Sequence, residues 1–297
     1  MTDAIAEHSP AAEQRPGRNW TASALVGPAT VFIAICLLAP LVMLFRYSLN
    51  EFVPSKKMMV EAVTIANYVK FFTDPYYTKI LLTTVRIAVL VTAVCLVLAF
   101  PLAYVVARTQ SRFKNLLIIS IVLPLFVGNS VRAAGWMVVF GNKGFVNASL
   151  LGLGVISQPI EIMFTEKAVI IGIIAVNLPF MALSLQSVIE GIDRAVEEAA
   201  FSLGAPPITM FRRVLWPLAL PGIIAGTILC FILAMNAYAT PFLLGGPLFK
   251  MMSPLIYNEF TQKTNWPFGG AIAFILMTVT LGLTVAANLI LSRRTAR

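Results

Sequence analysis

The chain has 297 residues, 59% of them hydrophobic and only 12% charged, with a mean hydropathy of +0.86. Soluble domains carry about 45–50% apolar and about 25% charged residues, so this balance excludes a water-soluble globule and points to a protein embedded in a bilayer. The formal net charge of +9 does not mark a nucleic-acid partner: the basic residues are scattered over short segments between apolar runs and form no stripe. Positive charge flanking membrane spans accounts for them.

The first twenty residues are polar, with Asp3, Glu7, His8, Glu13, Arg15 and Arg18. They lack the basic, then apolar, then small-residue layout of a cleaved signal. The sequence therefore predicts a flexible cytosolic tail over 1–20 and a transmembrane domain over 21–297. A helical crossing of the hydrocarbon takes roughly 20 apolar residues. Six runs qualify: 24–45, 80–107 (interrupted by Arg86), 116–139 (interrupted by Arg132), 168–188, 218–239 and 268–291. The expected class is an all-α polytopic membrane protein with six transmembrane helices. Cys36, Cys95 and Cys230 all fall within apolar runs, without metal-type spacing or a disulfide framework, and read as small buried hydrophobes.

The charge-free stretch after Arg213 reaches Phe249, too long for one crossing. Pro241, Gly245, Gly246 and Pro247 predict a break there, into a loop at or dipping into the outer face. Arg108, Arg112 and Lys114 crowd the very short connection between the second and third spans, and short basic loops stay inside. With six spans, both termini are then cytoplasmic.

The connection over 190–217 reads EGIDRAVEEAAFSLGAPPITMFRRVLWP. Asp193 suits an N-cap, and Glu197 and Glu198 sit early, where the helix dipole favours negative charge. Gly204 suits a C′ position, and Pro206 and Pro207 the start of a second helix. Met210, Phe211, Val214 and Leu215 supply an apolar side, with Arg212 and Arg213 directed elsewhere. From the residues alone, two readings stand level: a docking element for another protein, or an amphipathic connector lying on the bilayer.

Two charges fall within spans. Arg86 lies about two turns from the end of its span and is expected to snorkel. Arg132 lies deeper, beyond Pro124 and beside Asn129 and Ser130, and an intramembrane arginine is by default a pathway or pairing residue. A solute-path or gating role for Arg132 stands slightly ahead of a structural one. Asn177, Asn236 and Tyr238 are further path candidates, although interhelical hydrogen bonding is the more ordinary reading of such residues.

What is missing narrows the chemistry. No G-x-x-x-x-G-K-[ST] run is present, and Gly141-Asn142-Lys143-Gly144 lies in a predicted outer loop, so ATP must be bound by another polypeptide. The single histidine, His8, is in the tail, which excludes histidine haem ligation and serine–histidine catalysis in the bundle. No Asp or Glu falls inside a predicted span, which argues against a carrier coupled through a membrane carboxylate. The chain is expected to hold no metal or cofactor and to be no enzyme. A secondary carrier or channel working without ATPase subunits is the alternative.

Glu198-Ala199-Ala200, then Gly204, then Val214 with Pro217 and Pro221, closely resemble the EAA loop of permease subunits in binding-protein-dependent ABC importers. Further runs resemble the spermidine/putrescine-type branch, and the first permease of its pair. They are NYVKFFTDPYY at 67–77, Leu123-Pro124 with Asn129 and Arg132, KGFVNASLLGLGV at 143–155, IEIMFTEKAVIIG at 160–172, LPFM at 178–181 and NWPFGGA at 265–271. The resemblance implies a type I ABC importer permease fold in a bacterial inner membrane. It implies a coupling helix in which Glu198, Ala199, Ala200, Gly204, Phe211 and Arg213 meet an ATPase. The expected partners are a second similar permease, two ATPase subunits carrying ATP and Mg, a periplasmic solute-binding protein and membrane lipid. The implied solute is a polyamine or a related amine or amino-acid derivative. One feature departs from a polyamine carrier: a dication is ordinarily met by carboxylates or aromatic faces, whereas this chain offers Arg132 and no spanning carboxylate.

Overall fold

The structure is a computed structural model that describes residues 20–53, 58–247 and 249–295. The tail expected over 1–20 lies outside these residues, apart from Trp20. The chain divides into two units, one ending at Arg46 and one beginning at Tyr47.

In the first unit, the described residues belong to helix α1 (Trp20–Ser48), which carries Pro28 and Pro40 within it. Within Val26–Ser48 an 18-residue window has a mean hydropathy of 2.5, enough for a crossing. Cys36 is exposed, not buried as expected, while Cys95 and Cys230 are buried.

The second unit opens with a small strand pair, a minor addition to the expected all-α fold. Strands β1 (Glu51–Val53) and β2 (Met58–Val60) pair antiparallel, with Glu51 opposite Val60 and Phe52 opposite Met59. Helix α2 (Ala66–Thr73) follows, and Asn67 Nδ2 donates to the carbonyls of Ser48 and Asn50, each at 2.9 Å. Asp74 caps helix α3 (Pro75–Arg108) by accepting from the Tyr76 amide at 2.9 Å, with Pro75 in the first turn where its missing N–H costs nothing. At 1.5 Å per residue, the 34 residues of α3 span roughly 50 Å. That exceeds a hydrocarbon core of about 30 Å, so α3 projects beyond it.

The expected span over 116–139 is interrupted. Helix α4 (Lys114–Val122) runs into a 3-10 turn at Leu123–Phe126, and α5 (Asn129–Phe140) and α6 (Phe145–Gly152) follow. The two halves bend by 99°. Pro124 lacks the N–H that would continue the helix, and Gly128 restarts it in the N-cap position of α5.

Helix α7 (Glu166–Gly191) begins at Thr165, whose Oγ1 accepts from the Ala168 amide at 3.3 Å. Arg86 does not simply snorkel: its Nη2 donates to both carboxylate oxygens of Glu166 at 2.7 Å. After α7 come α8 (Arg194–Ser202), α9 (Pro207–Met210), a π turn at Phe211–Leu215 and α10 (Trp216–Leu218). Helix α11 (Leu220–Met235) is followed by α12 (Ala239–Leu244), α13 (Met252–Thr261) and α14 (Trp266–Thr295). The span expected over 218–239 thus closes at Met235, and a 70° bend separates Pro207–Leu218 from it. Pro241 lies inside α12, and the expected break comes after it, where Gly246 adopts φ +62°. Among the described residues, four helices, α1, α3, α7 and α14, are long and apolar enough to cross a membrane, and the count is six if each bent pair is one crossing.

Helices α3, α7 and α11 pack on one another as the centre of the second unit. On α11, Gly222, Gly226, Cys230 and Ala234 recur every fourth residue and are all buried. This is a small-residue stripe, which lets two backbones approach in lipid, where packing and interhelical bonds drive association. A Cβ built on Gly222 would lie 2.9 Å from Val188 Cβ and 3.2 Å from the Ser184 carbonyl; one on Gly226 would lie 2.7 Å from Met181 Sδ. Higher up the same seam, Asn177 Nδ2 donates to the Cys230 carbonyl at 3.3 Å, and Cys230 Sγ to the Asn177 carbonyl at 3.5 Å.

The two glycines separate in a direct test. Gly222→Ala meets a β-branched side chain and backbone, and overpacking of that kind costs about 1–3 kcal/mol. Gly226→Ala meets the flexible end of a methionine and costs less than about 1 kcal/mol. Thermal unfolding of the two variants in detergent should therefore rank Gly222→Ala as the less stable.

Candidate functional site

The segment between α7 and α11 folds as its residues direct. Asp193 Oδ1 accepts from the Ala195 amide at 2.9 Å, capping α8 as expected. At the other end the amides of Leu203, Gly204 and Ala205 donate to the carbonyls of Ala199, Phe201 and Ala200 at 3.1, 2.9 and 3.1 Å. Gly204 closes this turn at φ +78°, a left-handed conformation that costs an L side chain roughly 1–2 kcal/mol. Pro206 and Pro207 start α9, again as expected. Pro217 has no N–H to give the Arg213 carbonyl, and the turn before it widens: the Trp216 amide reaches back to the Phe211 carbonyl.

The residues expected to meet an ATPase divide between two faces. Glu198, Ala199, Gly204 and Arg213 are exposed, whereas Ala200 and Phe211 are half-buried against the core. Met210 and Leu215 are buried beneath them. The Phe211 ring meets Phe100 of α3 edge-on at 5.0 Å, and Trp216 stacks on the same ring at 5.6 Å.

The strongest contact of this segment belongs to a residue that sequence reasoning assigned only to the helix dipole. Glu197 is buried. Its Oε1 accepts from Arg108 Nε at 2.8 Å and from Arg108 Nη2, and its Oε2 from the Tyr104 hydroxyl at 2.9 Å. Arg108 Nη1 donates to the Ile192 carbonyl at 3.0 Å, and Arg194 Nη2 to the Arg108 carbonyl at 2.7 Å. Lys114 pairs with Glu190 at 2.8 Å beside it. A buried carboxylate is tolerated only when paired and fully hydrogen-bonded, and Glu197 is both. The sequence does carry a signal: Phe100, Tyr104 and Arg108 are spaced by four and share one face of α3.

The path candidates come together elsewhere. Asn129, Asn177, Asn236 and Tyr238 line one cavity of about 360 Å³, with Ser130, Thr240 and the apolar Ile173 and Val176. Arg132 is not part of its wall, but its Nη2 donates to Asn129 Oδ1, while its Nε and Nη1 are enclosed without an acceptor. Asn177 also makes the interhelical tie expected of a membrane asparagine, to the Cys230 carbonyl, whereas Asn236 donates at 2.9 Å to the Ile232 carbonyl one turn back in its own helix. The Tyr238 ring lies 5.3 Å from Phe242 and 4.8 Å from Tyr257. The wall therefore offers amides, hydroxyls and aromatic surface, and no carboxylate among its lining residues. Such a wall suits a polar solute held by hydrogen bonds. Among the described residues, no group of three or more His, Cys, Asp or Glu is placed to hold a metal ion.

The turn at Gly204 gives a measurable expectation. Gly204→Ala strains the left-handed position by roughly 1–2 kcal/mol, so opening of the segment rises about 5- to 30-fold. Limited trypsin cleavage at Arg212 and Arg213 should accelerate accordingly, while cleavage elsewhere stays the same.

Residues 62–297 match the family described as the binding-protein-dependent transport system inner membrane component. The spermidine/putrescine transport system permease protein PotB of Haemophilus influenzae is 37% identical over 235 residues, covering 78% of this chain and 82% of that protein. The inner membrane ABC transporter permease protein YdcU of Escherichia coli is 30% identical over 273 residues, covering 86% and 84%. Among solved structures, a bacterial alginate ABC transporter, in complex with a periplasmic protein bound to alginate pentasaccharide, shares the fold with a TM-score of 0.76. Its identity is 19%, over 94% of this chain and 96% of the other. The all-α, polytopic architecture is that of type I ABC importer permeases, and the chain belongs to the inner membrane component family of binding-protein-dependent transport systems.

Proposed function

We propose that the chain is one permease of an ATP-driven importer that carries a polyamine, or a related amine or amino-acid derivative, from periplasm to cytoplasm. The observation that carries this reading is the two-faced segment over 190–217. One face is fixed to the bundle by Glu197, Phe211 and Trp216, and the other presents Glu198, Ala199, Gly204 and Arg213 outward. The outward face also exposes Val196, Phe201, Leu203 and Ile208 beside Glu198 and Arg213, a mixed apolar and charged surface of the kind that a cleft in a partner protein takes.

In this reading each permease of a pair offers such a segment to one of two ATPase subunits, which bind ATP and Mg, and this chain hydrolyses nothing itself. A periplasmic binding protein delivers solute to the opposite ends of the helices. Both termini lie in the cytoplasm, with lipid around the outer faces of the spans. The 360 Å³ cavity lies on the solute's path. Support for an amine comes from the 37% identity to a spermidine/putrescine permease and from the ring of Tyr238, which can face a cation.

The direct experiment is a pull-down of the tagged chain in mild detergent, followed by ATPase assay of the complex with the co-encoded binding protein. The panel would contain polyamines, amino-acid derivatives and phosphonates. Recovery of an ATPase and a second permease, with one solute class raising turnover, is expected. A lone chain that supports uptake in ATP-depleted vesicles would instead establish a secondary carrier. Arg132→Ala should reduce transport more than it reduces recovery of the assembled complex, and equal loss of both would identify a structural arginine.

A further inference from the structure

The coupling segment is joined by chain to α7 and α11, yet both joints are articulated. Helix α7 stops at Gly191 and Ile192 is extended, at φ −81° and ψ 124°. On the other side, a 70° bend at Ala219 separates Pro207–Leu218 from α11. A push on the segment cannot travel stiffly through either joint. Its firm hold is lateral, on a helix to which it is not adjacent in the chain.

Phe100, Tyr104 and Arg108 occupy successive turns of α3 on one side. Phe100 grips the aromatic residues of the π turn and α10, with Phe211 at 5.0 Å and Trp216 at 5.6 Å. Tyr104 and Arg108 grip α8 through Glu197. Helix α3 is continuous from Pro75 to Arg108, with Pro101 inside it at the loss of one backbone hydrogen bond, and it buries Ile87, Val91, Cys95 and Ala99 completely. At its far end Thr84 Oγ1 accepts from the Met252 amide of α13 at 3.0 Å, a buried bond, and the Tyr77 ring lies 4.9 Å from Phe268 of α14. One rod thus holds the coupling segment at one end and the opposite-end connections at the other.

We propose that α3, through Phe100, Tyr104 and Arg108, is the element that carries force between the coupling segment and the far end of the bundle. Glu197 is then a positioning residue, the handle by which α3 holds α8. This inference rests on the importer reading above and adds the route of coupling within this chain.

The test uses the whole importer, reconstituted in proteoliposomes, with ATP hydrolysis measured with and without the co-encoded binding protein as purified. Stimulation by a protein bound at the far end must pass along the route. Glu197→Gln keeps the shape and removes the charge, and should cut the stimulation ratio about tenfold, in line with loss of a charge-assisted hydrogen bond. Phe100→Ala should also lower the ratio, and Glu197→Gln combined with Arg108→Gln should be no worse than Glu197→Gln alone, because both act on one link. A ratio unchanged in Glu197→Gln, with absolute rates falling together, would overturn the proposal and leave the contact as a brace. If Glu197→Gln does not assemble, Tyr104→Phe removes a single hydrogen bond and reads the same ratio: a lower value supports the route and an unchanged one overturns it. A wild-type chain that recovers no ATPase, or whose ATPase ignores the binding protein, contradicts the importer reading itself and is seen before any variant is made.

Discussion

Helices surrounded by lipid gain nothing from hiding apolar surface against each other, because hydrocarbon already satisfies it. What holds α3, α7 and α11 together is close approach. Gly222, Gly226, Cys230 and Ala234 leave a groove on α11, and α7 lies in it near enough that Val188 and Met181 would touch any added Cβ. At that distance dispersion contacts are dense, and Asn177 reaches across to the Cys230 carbonyl. The coupling segment and the polar cavity both hang from this seam: Asn177 forms part of the cavity wall, and α7 and α11 deliver the two ends of the segment.

Where helices leave the hydrocarbon, the physics changes from packing to charge. Arg108 and Glu197 are mostly enclosed, with side chains 13% and 8% exposed, so their attraction is little screened by water. Removing one partner would strand the other, and that penalty, more than the net worth of the pair, makes the contact a firm one. The exposed pair of Arg86 and Glu166, with 62% of the arginine side chain accessible, holds its helices far less tightly. The firm grip thus lies at the coupling end of α3.

The sequence was most legible where one physical demand dominates a whole stretch. The runs that became α1, α3, α7 and α14 are long because the hydrocarbon is thick, and hydropathy finds them directly. Pro124 marks a kink in the sequence, but the full break at Pro124–Gly128 and the one at Asn236–Tyr238 are not legible, since an apolar window averages across them, and the two strands, of three residues each, are too short for an alternating pattern to register. Local chemistry was legible too: Asp193, Gly204 and Pro207 cap, turn and start the helices that their types suggest. The register of the Glu198-Ala199-Ala200 run singled out Glu198, while the pairing of Glu197 was not legible, because its partner Arg108 is 89 positions away. The gathering of Asn129, Asn177, Asn236 and Tyr238 on one cavity likewise depends on helix packing that single positions do not record.

The central claim is that the outward face of the segment over 190–217 meets an ATPase. Its most direct measurement is photo-crosslinking in native membranes from a benzophenone side chain placed at Ala199, with a second placed at the exposed Leu283 of α14 as a reference. The account predicts that the probe at 199 captures a nucleotide-binding subunit and the probe at 283 does not. A probe at 199 that captures only lipid would show the segment lying on the bilayer, and would contradict the account.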